Sequence, residues 1–151
     1  MILHPKPAET RSTYVGMQRF EVPLYSTMDV PDLYCARYAR LAARQIFGKH
    51  FPVAPAWGMK RNSSASVQVE NNAELCDLLE SGKIAKGGLL VGVHFEGSDY
   101  NQPGRLYTHM SLLLAVRNGK PIFLEQFEDI RVVTLDDYEM DGLQIVELLG
   151  V

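Results

Sequence analysis

The sequence has few cysteines and no excess of positive charge, and both shortages limit what the chain can be. Only Cys35 and Cys76 occur among the 151 residues, too few for the disulfide framework of a small secreted domain. Lys and Arg number 15 against 18 Asp and Glu, which gives a net charge of −3. Proteins that bind nucleic acids or anionic membranes usually carry an excess of positive charge. We therefore expect two free thiols and no nucleic-acid partner.

Long apolar runs are missing as well. No stretch reaches the roughly 18 apolar residues that a membrane-spanning helix needs. Residues 1–7 contain two prolines and a lysine, and they lack the apolar core of a secretory signal. The sequence therefore predicts no membrane span, and a protein that is cytoplasmic or exported without a recognisable signal peptide. It indicates no particular oligomeric state.

What remains is an ordinary globular composition, with 46% hydrophobic and 22% charged residues. The length suits one domain with a sizeable core. We predict a single domain over residues 1–151 that begins with an extended arm at 1–13. Helices are predicted mainly in the first half and an antiparallel series of strands in the second. This order predicts an α+β domain with N-terminal helices packed on an antiparallel sheet.

The clearest predicted helix spans about 31–47. Asp29 is expected to cap it, Pro31 lies in its first turn, and Gly48 follows its end. One buried face is predicted from the apolar side chains at steps of three and four, which are Cys35, Tyr38, Ala39, Ala42 and Ile46. A second helix is predicted over about 72–81.

The second half of the chain is dominated by strand-like segments. Alternating or short apolar runs predict strands over about 14–25, 89–95, 107–116, 121–127 and 130–135, with a strand or helix over 143–149. Asn118-Gly119 is a strong signal for a two-residue hairpin turn. The pattern is that of hairpins connected in sequence.

Metal and cofactor sites have little support in the sequence. The four histidines and two cysteines do not show the spacing of zinc ligands, and no glycine-rich phosphate loop occurs. One acidic cluster, Asp136, Asp137, Glu139 and Asp141, is interpreted as a solvated turn, with weak calcium binding as the alternative, because the regular calcium-loop spacing is absent. We predict no metal and no cofactor.

The residues best suited to chemistry are Cys35 and His109. Cys35 lies near the start of the best helix, where the positive end of the helix dipole lowers the pKa of a thiol. A thiolate nucleophile needs a nearby imidazole, and His109 begins an apolar strand that would hold one firmly. His94 is the rival histidine, while His4 and His50 are weaker candidates. The competing interpretation of Cys35 is an ordinary buried cysteine on an apolar stripe.

A third group should orient the histidine ring, and the hairpin register decides which residue it is. If Asn118-Gly119 is a simple two-residue turn, Ser111 faces Gln126. If the loop holds three residues with a bulge, Ser111 faces Glu125 instead. One residue of register therefore determines whether Glu125 or Gln126 lies on the face of the histidine.

Three segments, taken in order, resemble the papain-like CHAP amidases and their NlpC relatives. These are residues 33–39 (Leu-Tyr-Cys-Ala-Arg-Tyr-Ala), 108–114 (Thr-His-Met-Ser-Leu-Leu-Leu) and 121–127 (Pro-Ile-Phe-Leu-Glu-Gln-Phe). The likeness covers roughly 30–135. The chain departs from the family where Phe127 replaces a frequent Asn, and where Gly-Gly-Leu replaces the usual Gly-Asp before the middle strand.

The resemblance implies a papain-like fold and amide hydrolysis through a thioester acyl-enzyme. Cys35 would attack the carbonyl, His109 would act as base and then as acid, and Glu125 or Gln126 would orient the ring. The backbone N–H of Cys35 would contribute to the oxyanion hole. A peptide, in particular one from bacterial cell-wall peptidoglycan, is the substrate that the resemblance implies.

Two loops are candidates for lining the cleft, through Trp57 in 51–58 and Tyr100 in 96–106. Core packing and a surface position are the competing interpretations of these two aromatic residues. Two alternatives to the hydrolase also stay open. One is a catalytically inactive papain-like binding or structural module, and the other is an acyltransferase that uses the same cysteine and histidine.

Overall fold

The structure is a computed structural model that describes residues 5–51, 66–95 and 109–150. Within these ranges the chain forms eight strands and three helices, which are β1 (Glu9–Val15), β2 (Gln18–Leu24), α1 (Cys35–Phe47), β3 (Ser66–Gln68), α2 (Asn72–Ser81), β4 (Leu90–Phe95), β5 (His109–Arg117), β6 (Lys120–Phe127), β7 (Asp129–Thr134), α3 (Leu135–Met140) and β8 (Leu143–Leu149).

The centre of the molecule is a six-stranded sheet in the order β3-β8-β4-β5-β6-β7. Its neighbouring strands are all antiparallel. Strands β1 and β2 form a separate two-stranded hairpin. The predicted α+β class with a mainly antiparallel sheet is confirmed.

Apolar side chains cover both faces of the large sheet. Leu112 and Leu124 belong to a core shared with α1 and the β1-β2 hairpin. Leu113 and Phe123 point the other way, into a core that contains residues of α2 and α3. Because successive side chains of a strand alternate between faces, the position of a residue in β5 or β6 determines which core it enters.

Helix α1 begins later than the sequence pattern predicted. The residue before it, Tyr34, has an extended backbone, so the first helical residue is Cys35 and the predicted cap at Asp29 is wrong. The preceding segment instead forms a turn in which the Val30 N–H donates to the Ser26 carbonyl at 2.8 Å. Val30 is fully buried, and its burial holds this turn out of the helix.

Helix α1 lies against β5 and β6 with a flat, alanine-rich face. Its buried residues are Ala36, Tyr38, Ala39, Ala42 and Ala43. Ile46 was predicted to belong to this face but is 37% exposed. The helix ends at Gly48 in the left-handed conformation, as predicted. Small side chains allow the helix to approach the strands closely, and this approach fixes the position of Cys35.

The hairpin between β5 and β6 combines the two geometries that the sequence left open. Asn118 and Gly119 both have positive φ, as a two-residue turn requires, and Arg117 pairs with Lys120. A bulge at Leu114 then shifts the register by one residue, so that Leu112 lies opposite Leu124. This register, continued by one residue, places Glu125 opposite Ser111.

Two segments differ from the sequence prediction. Residues 9–13 of the predicted arm belong to β1, because they continue the pairing with β2 up to Leu24. Three residues of the acidic cluster predicted as a turn, Asp136, Asp137 and Glu139, lie in helix α3, and the fourth, Asp141, is its C-cap. The helix begins with a capping box between Thr134 and Asp137. The predicted helix 72–81 is confirmed as α2.

Each helix in the described ranges is too short or too polar to cross a lipid bilayer.

We expect Ala39→Leu to destabilise the domain, because Ala39 is fully buried between α1 and the sheet. Overpacking a tight core costs about 1–3 kcal/mol. Leucine and alanine have similar helix propensities, so Gln45→Leu on the exposed side of the same helix is a matched control. Urea denaturation measures both variants. Equal free energies of unfolding would contradict the close packing of α1.

Candidate active site

Cys35 is the first residue of α1 and is partly exposed to solvent. Its thiol lies close enough to the imidazole of His109 and to the backbone N–H groups of Ala36 and Met110 for each of them to lower its pKa. The first N–H groups of a helix have no acceptor within the helix. The end of α1 therefore presents both a sulfur atom and backbone donors at one accessible point.

His109 is the first residue of β5 and is only 5% exposed. Its Nε2 atom lies 2.9 Å from Oε1 of Glu125. Since Glu125 occupies Nε2, the nitrogen left to face the thiol is Nδ1. The ring of Phe127 packs against the imidazole nearly at right angles, with centroids 5.3 Å apart. The imidazole is thus held by a carboxylate, a thiol and an aromatic ring.

Glu125 is fully buried in β6, and both of its oxygens have partners. Oε1 accepts hydrogen bonds from His109 and from the hydroxyl of Tyr138 on α3. Oε2 accepts a hydrogen bond of 2.6 Å from Nε of Arg131, which lies directly opposite Glu125 on β7. This set of donors fixes the orientation of the carboxylate.

The surroundings favour a thiolate at Cys35. Burial raises the pKa of the thiol, but the hydrogen bond and positive charge of His109, with the two backbone donors, outweigh burial and leave the pKa below its usual value. Burial also lowers the pKa of His109, but Cys35 and Glu125 stabilise the imidazolium and raise it to about 9. Each group therefore favours the charged form of the other near neutral pH, the thiolate of Cys35 and the imidazolium of His109.

Glu125 is ionised in the same pH range. Burial raises the pKa of the carboxyl, but the hydrogen bond and charge of His109, with hydrogen bonds from Tyr138 and Arg131, lower it below the usual value. Cys35, His109, Glu125 and Arg131 thus form a chain of alternating negative and positive charges. A buried carboxylate without such partners would be strongly destabilising.

The structure brings together three of the four residues predicted for the site. Cys35, His109 and Glu125 lie together, and the hydrogen bond between an orienting residue and the His109 ring within the described residues involves Glu125 and not Gln126. Gln126 pairs with Ile130 in the ladder, and strand alternation turns its side chain to the face opposite Glu125. The bulge at Leu114 is the physical reason for this choice.

The other candidate histidines do not meet Cys35 within the described part of the chain. His94 lies in β4 opposite Gln144, and His50 is exposed beyond the far end of α1. His4, Trp57 and Tyr100, with most of the two loops named for the cleft, lie outside the described residues.

Two residues of the site, Arg131 and Tyr138, were missed by the sequence interpretation. A signal for Arg131 was present in the alternating pattern of residues 130–135, which form most of β7. A tight turn after Phe127 would pair this strand with β6 and bring Arg131 opposite Glu125. Tyr138 left no such signal, because its short acidic helix was interpreted as a turn.

The second cysteine has different surroundings. Burial, followed by the negative charges of Glu80, Asp77 and Glu139, raises the pKa of Cys76.

Both cysteines are free thiols, as predicted. No group of three or more His, Cys, Asp or Glu side chains suited to a metal ion occurs within 5–51, 66–95 and 109–150.

Searches with this chain match no protein-family model, no curated protein and no solved structure.

We expect iodoacetamide to alkylate Cys35 faster than Cys76 below the usual thiol pKa of about 8.5. The pKa of Cys35 is lowered and that of Cys76 is raised, so the two labelling curves should be separated in pH. Peptide mass spectrometry assigns the label. In His109→Ala the Cys35 curve should move to higher pH, because burial remains while the imidazolium is lost. Overlapping curves for the two cysteines would rule out the ion pair.

Proposed function

We propose that this protein is a cysteine-dependent amide hydrolase with a papain-like core, in which Cys35 is the nucleophile. The observation that carries the proposal is the continuous line of contacts from the Cys35 thiol through His109 to buried Glu125. A nucleophile, a base within hydrogen-bonding reach and a third group that orients the base are the parts that acyl transfer needs.

In the proposed acylation step, the Cys35 thiolate attacks the carbonyl carbon of the amide and forms a carbon–sulfur bond. The carbonyl oxygen becomes an oxyanion, which the backbone N–H of Cys35 at the start of α1 would stabilise in this proposal. The imidazolium of His109 then gives its proton to the leaving nitrogen as the carbon–nitrogen bond breaks. The products are a free amine and a thioester of Cys35.

In the proposed deacylation step, neutral His109 takes a proton from water, which attacks the thioester carbonyl. The carbon–sulfur bond breaks, a carboxylic acid product leaves, and the thiolate and imidazolium ions are restored. The carboxylate of Glu125 stays ionised throughout. It fixes the ring so that Nδ1 faces the sulfur, and it stabilises the positive charge on the imidazole.

The arrangement of elements supports a papain-like core. The cysteine is at the leading end of a helix that packs on an antiparallel sheet. The histidine and the orienting residue lie on two adjacent strands of that sheet. The CHAP and NlpC enzymes use the same order of parts, and from this likeness we propose peptides, including those of cell-wall peptidoglycan, as the substrate class.

One departure from those enzymes has a structural counterpart in this site. Phe127 stands where the family often has Asn, and its ring packs against the imidazole of His109. The amide oxygen of an asparagine can accept a hydrogen bond from His109 and so orient the imidazole. The ring of a phenylalanine has no such acceptor. Glu125 therefore carries the orienting role in this proposal.

Amide cleavage should depend on Cys35 and not on Cys76. We expect Cys35→Ala to abolish cleavage and His109→Ala to reduce kcat about 10²–10⁴-fold, as for the loss of a general acid and base. Cys76→Ser is the control and should keep the parent rate. The measurement is release of amine from peptide and muropeptide amides, with mass spectrometry to detect the thioester.

The pH profile and the products test the same proposal further. The rate should rise as Cys35 ionises and fall as pH passes about 9, where His109 loses the proton that the leaving amine needs. Product formed on an added amine in preference to water would indicate an acyltransferase. A protein that forms no thioester with any tested amide or activated ester would be a binding module, and the proposal would be wrong.

A further inference from the structure

Arg131 contacts both groups that hold the His109 ring. Its Nε donates to Oε2 of Glu125 at 2.6 Å, while Oε1 of the same carboxylate binds His109. Its guanidinium also lies over the ring of Phe127, 5.0 Å from the centroid. The ring of Phe127 in turn packs against the imidazole of His109. One side chain therefore supports the imidazole along two separate routes.

We propose that Arg131 is a positioning residue, which acts through Glu125 and Phe127 to keep His109 oriented toward the Cys35 sulfur and Cys35 ionised. The proposal deepens the function proposed above and rests on it. Arg131 itself touches neither the thiol nor any reacting atom among its described contacts. Its role differs from that of Glu125, which bonds to the imidazole directly.

The charges around the site explain why a cation is needed at this place. Cys35 and Glu125 together carry two negative charges in the active form, and His109 supplies one positive charge. Arg131 supplies the second, and its side chain is about one third exposed, so its head group is partly shielded from water. Without it, the group would hold a net negative charge around a fully buried carboxylate.

Loss of Arg131 should raise the pKa of the Cys35 thiol. Removal of a positive charge favours uptake of a proton by the remaining anions. For Cys35 this means a higher thiol pKa and less of the thiolate nucleophile. A proton taken up by Glu125 acts in the same direction, because a neutral carboxyl group stabilises the imidazolium less and so leaves the thiolate less stabilised. Loss of the ring support at Phe127 acts in the same direction, because a misplaced imidazolium stabilises the thiolate less.

The shape of the guanidinium matters as well as its charge. A planar guanidinium can donate from Nε to a carboxylate and lie flat on an aromatic ring at the same time. A lysine ammonium keeps the charge but offers no plane to stack on Phe127. Arg131→Lys should therefore retain part of the effect of Arg131 and not all of it.

The test measures the ionisation of Cys35 in a Cys76→Ser background, by the rate of alkylation with iodoacetamide against pH. In Arg131→Gln we expect the inflection to move up by about one pH unit. In Arg131→Lys we expect an intermediate inflection. The matched control is Arg19→Gln, which removes another arginine that bonds a carboxylate, that of Glu21 on the solvent-exposed side of the β1-β2 hairpin. It should keep the parent curve.

An Arg131→Gln variant that is folded by circular dichroism and keeps the parent inflection would overturn the proposal. If Arg131→Gln does not fold, Arg131→Lys becomes the deciding variant, because lysine keeps the ion pair with Glu125. A Cys35 alkylation curve with the parent inflection would then overturn the role of the guanidinium. With an amide substrate, the Arg131 variants should lower kcat and displace the acid side of the pH profile upward, with KM little changed.

The outcome can be separated from the fate of the proposed hydrolase function. The alkylation curve needs no substrate, so a shifted inflection in a protein that cleaves no amide would reject the hydrolase and keep the role of Arg131 in Cys35 ionisation. Amide cleavage that depends on Cys35, combined with unshifted Arg131 variants, would reject the role of Arg131 and keep the hydrolase.

Discussion

A carboxylate that is removed from water stays ionised only where hydrogen-bond donors and positive charge surround it, and the site depends on Glu125 meeting this condition. His109, Tyr138 and Arg131 supply the donors, from three different elements of the fold. The carboxylate in turn stabilises the imidazolium, and the imidazolium stabilises the thiolate. The ionisation of a partly exposed cysteine is thus linked, through His109, to a residue that solvent does not reach.

The position of His109 at the end of β5 makes this coupling possible. The side chain of Cys35 comes from the helix on one face of the sheet, while Glu125 points to the face that carries α3. A histidine in the middle of a strand would contact groups on one face only. At the first residue of the strand, the imidazole can meet the thiol from one layer and the carboxylate from the other.

Much of this fold and part of this site could be predicted from the sequence. The Asn118-Gly119 turn and helix α2 have strong local signals. Cys35 and His109 were expected as a pair, with His94 as the rival histidine, from their places in a helix and a strand together with the family resemblance. The choice of Glu125 over Gln126 could not be made, because the bulge at Leu114 occurs inside an apolar run where every register looks alike. The start of α1 was misplaced because burial of a turn residue outweighed local capping signals.

The bulge at Leu114 also divides the β5-β6 hairpin into two parts with different freedom to vary. Between the bulge and the Asn118-Gly119 turn, the ladder carries no residue of the site. Paired insertions or deletions in this outer part would lengthen or shorten the hairpin and leave the inner register as it is. An insertion or deletion of one residue between the bulge and Glu125 would instead exchange the side chains on the two faces of β6. The outer hairpin is therefore the place where this scaffold can accept new loops without disturbing its chemistry.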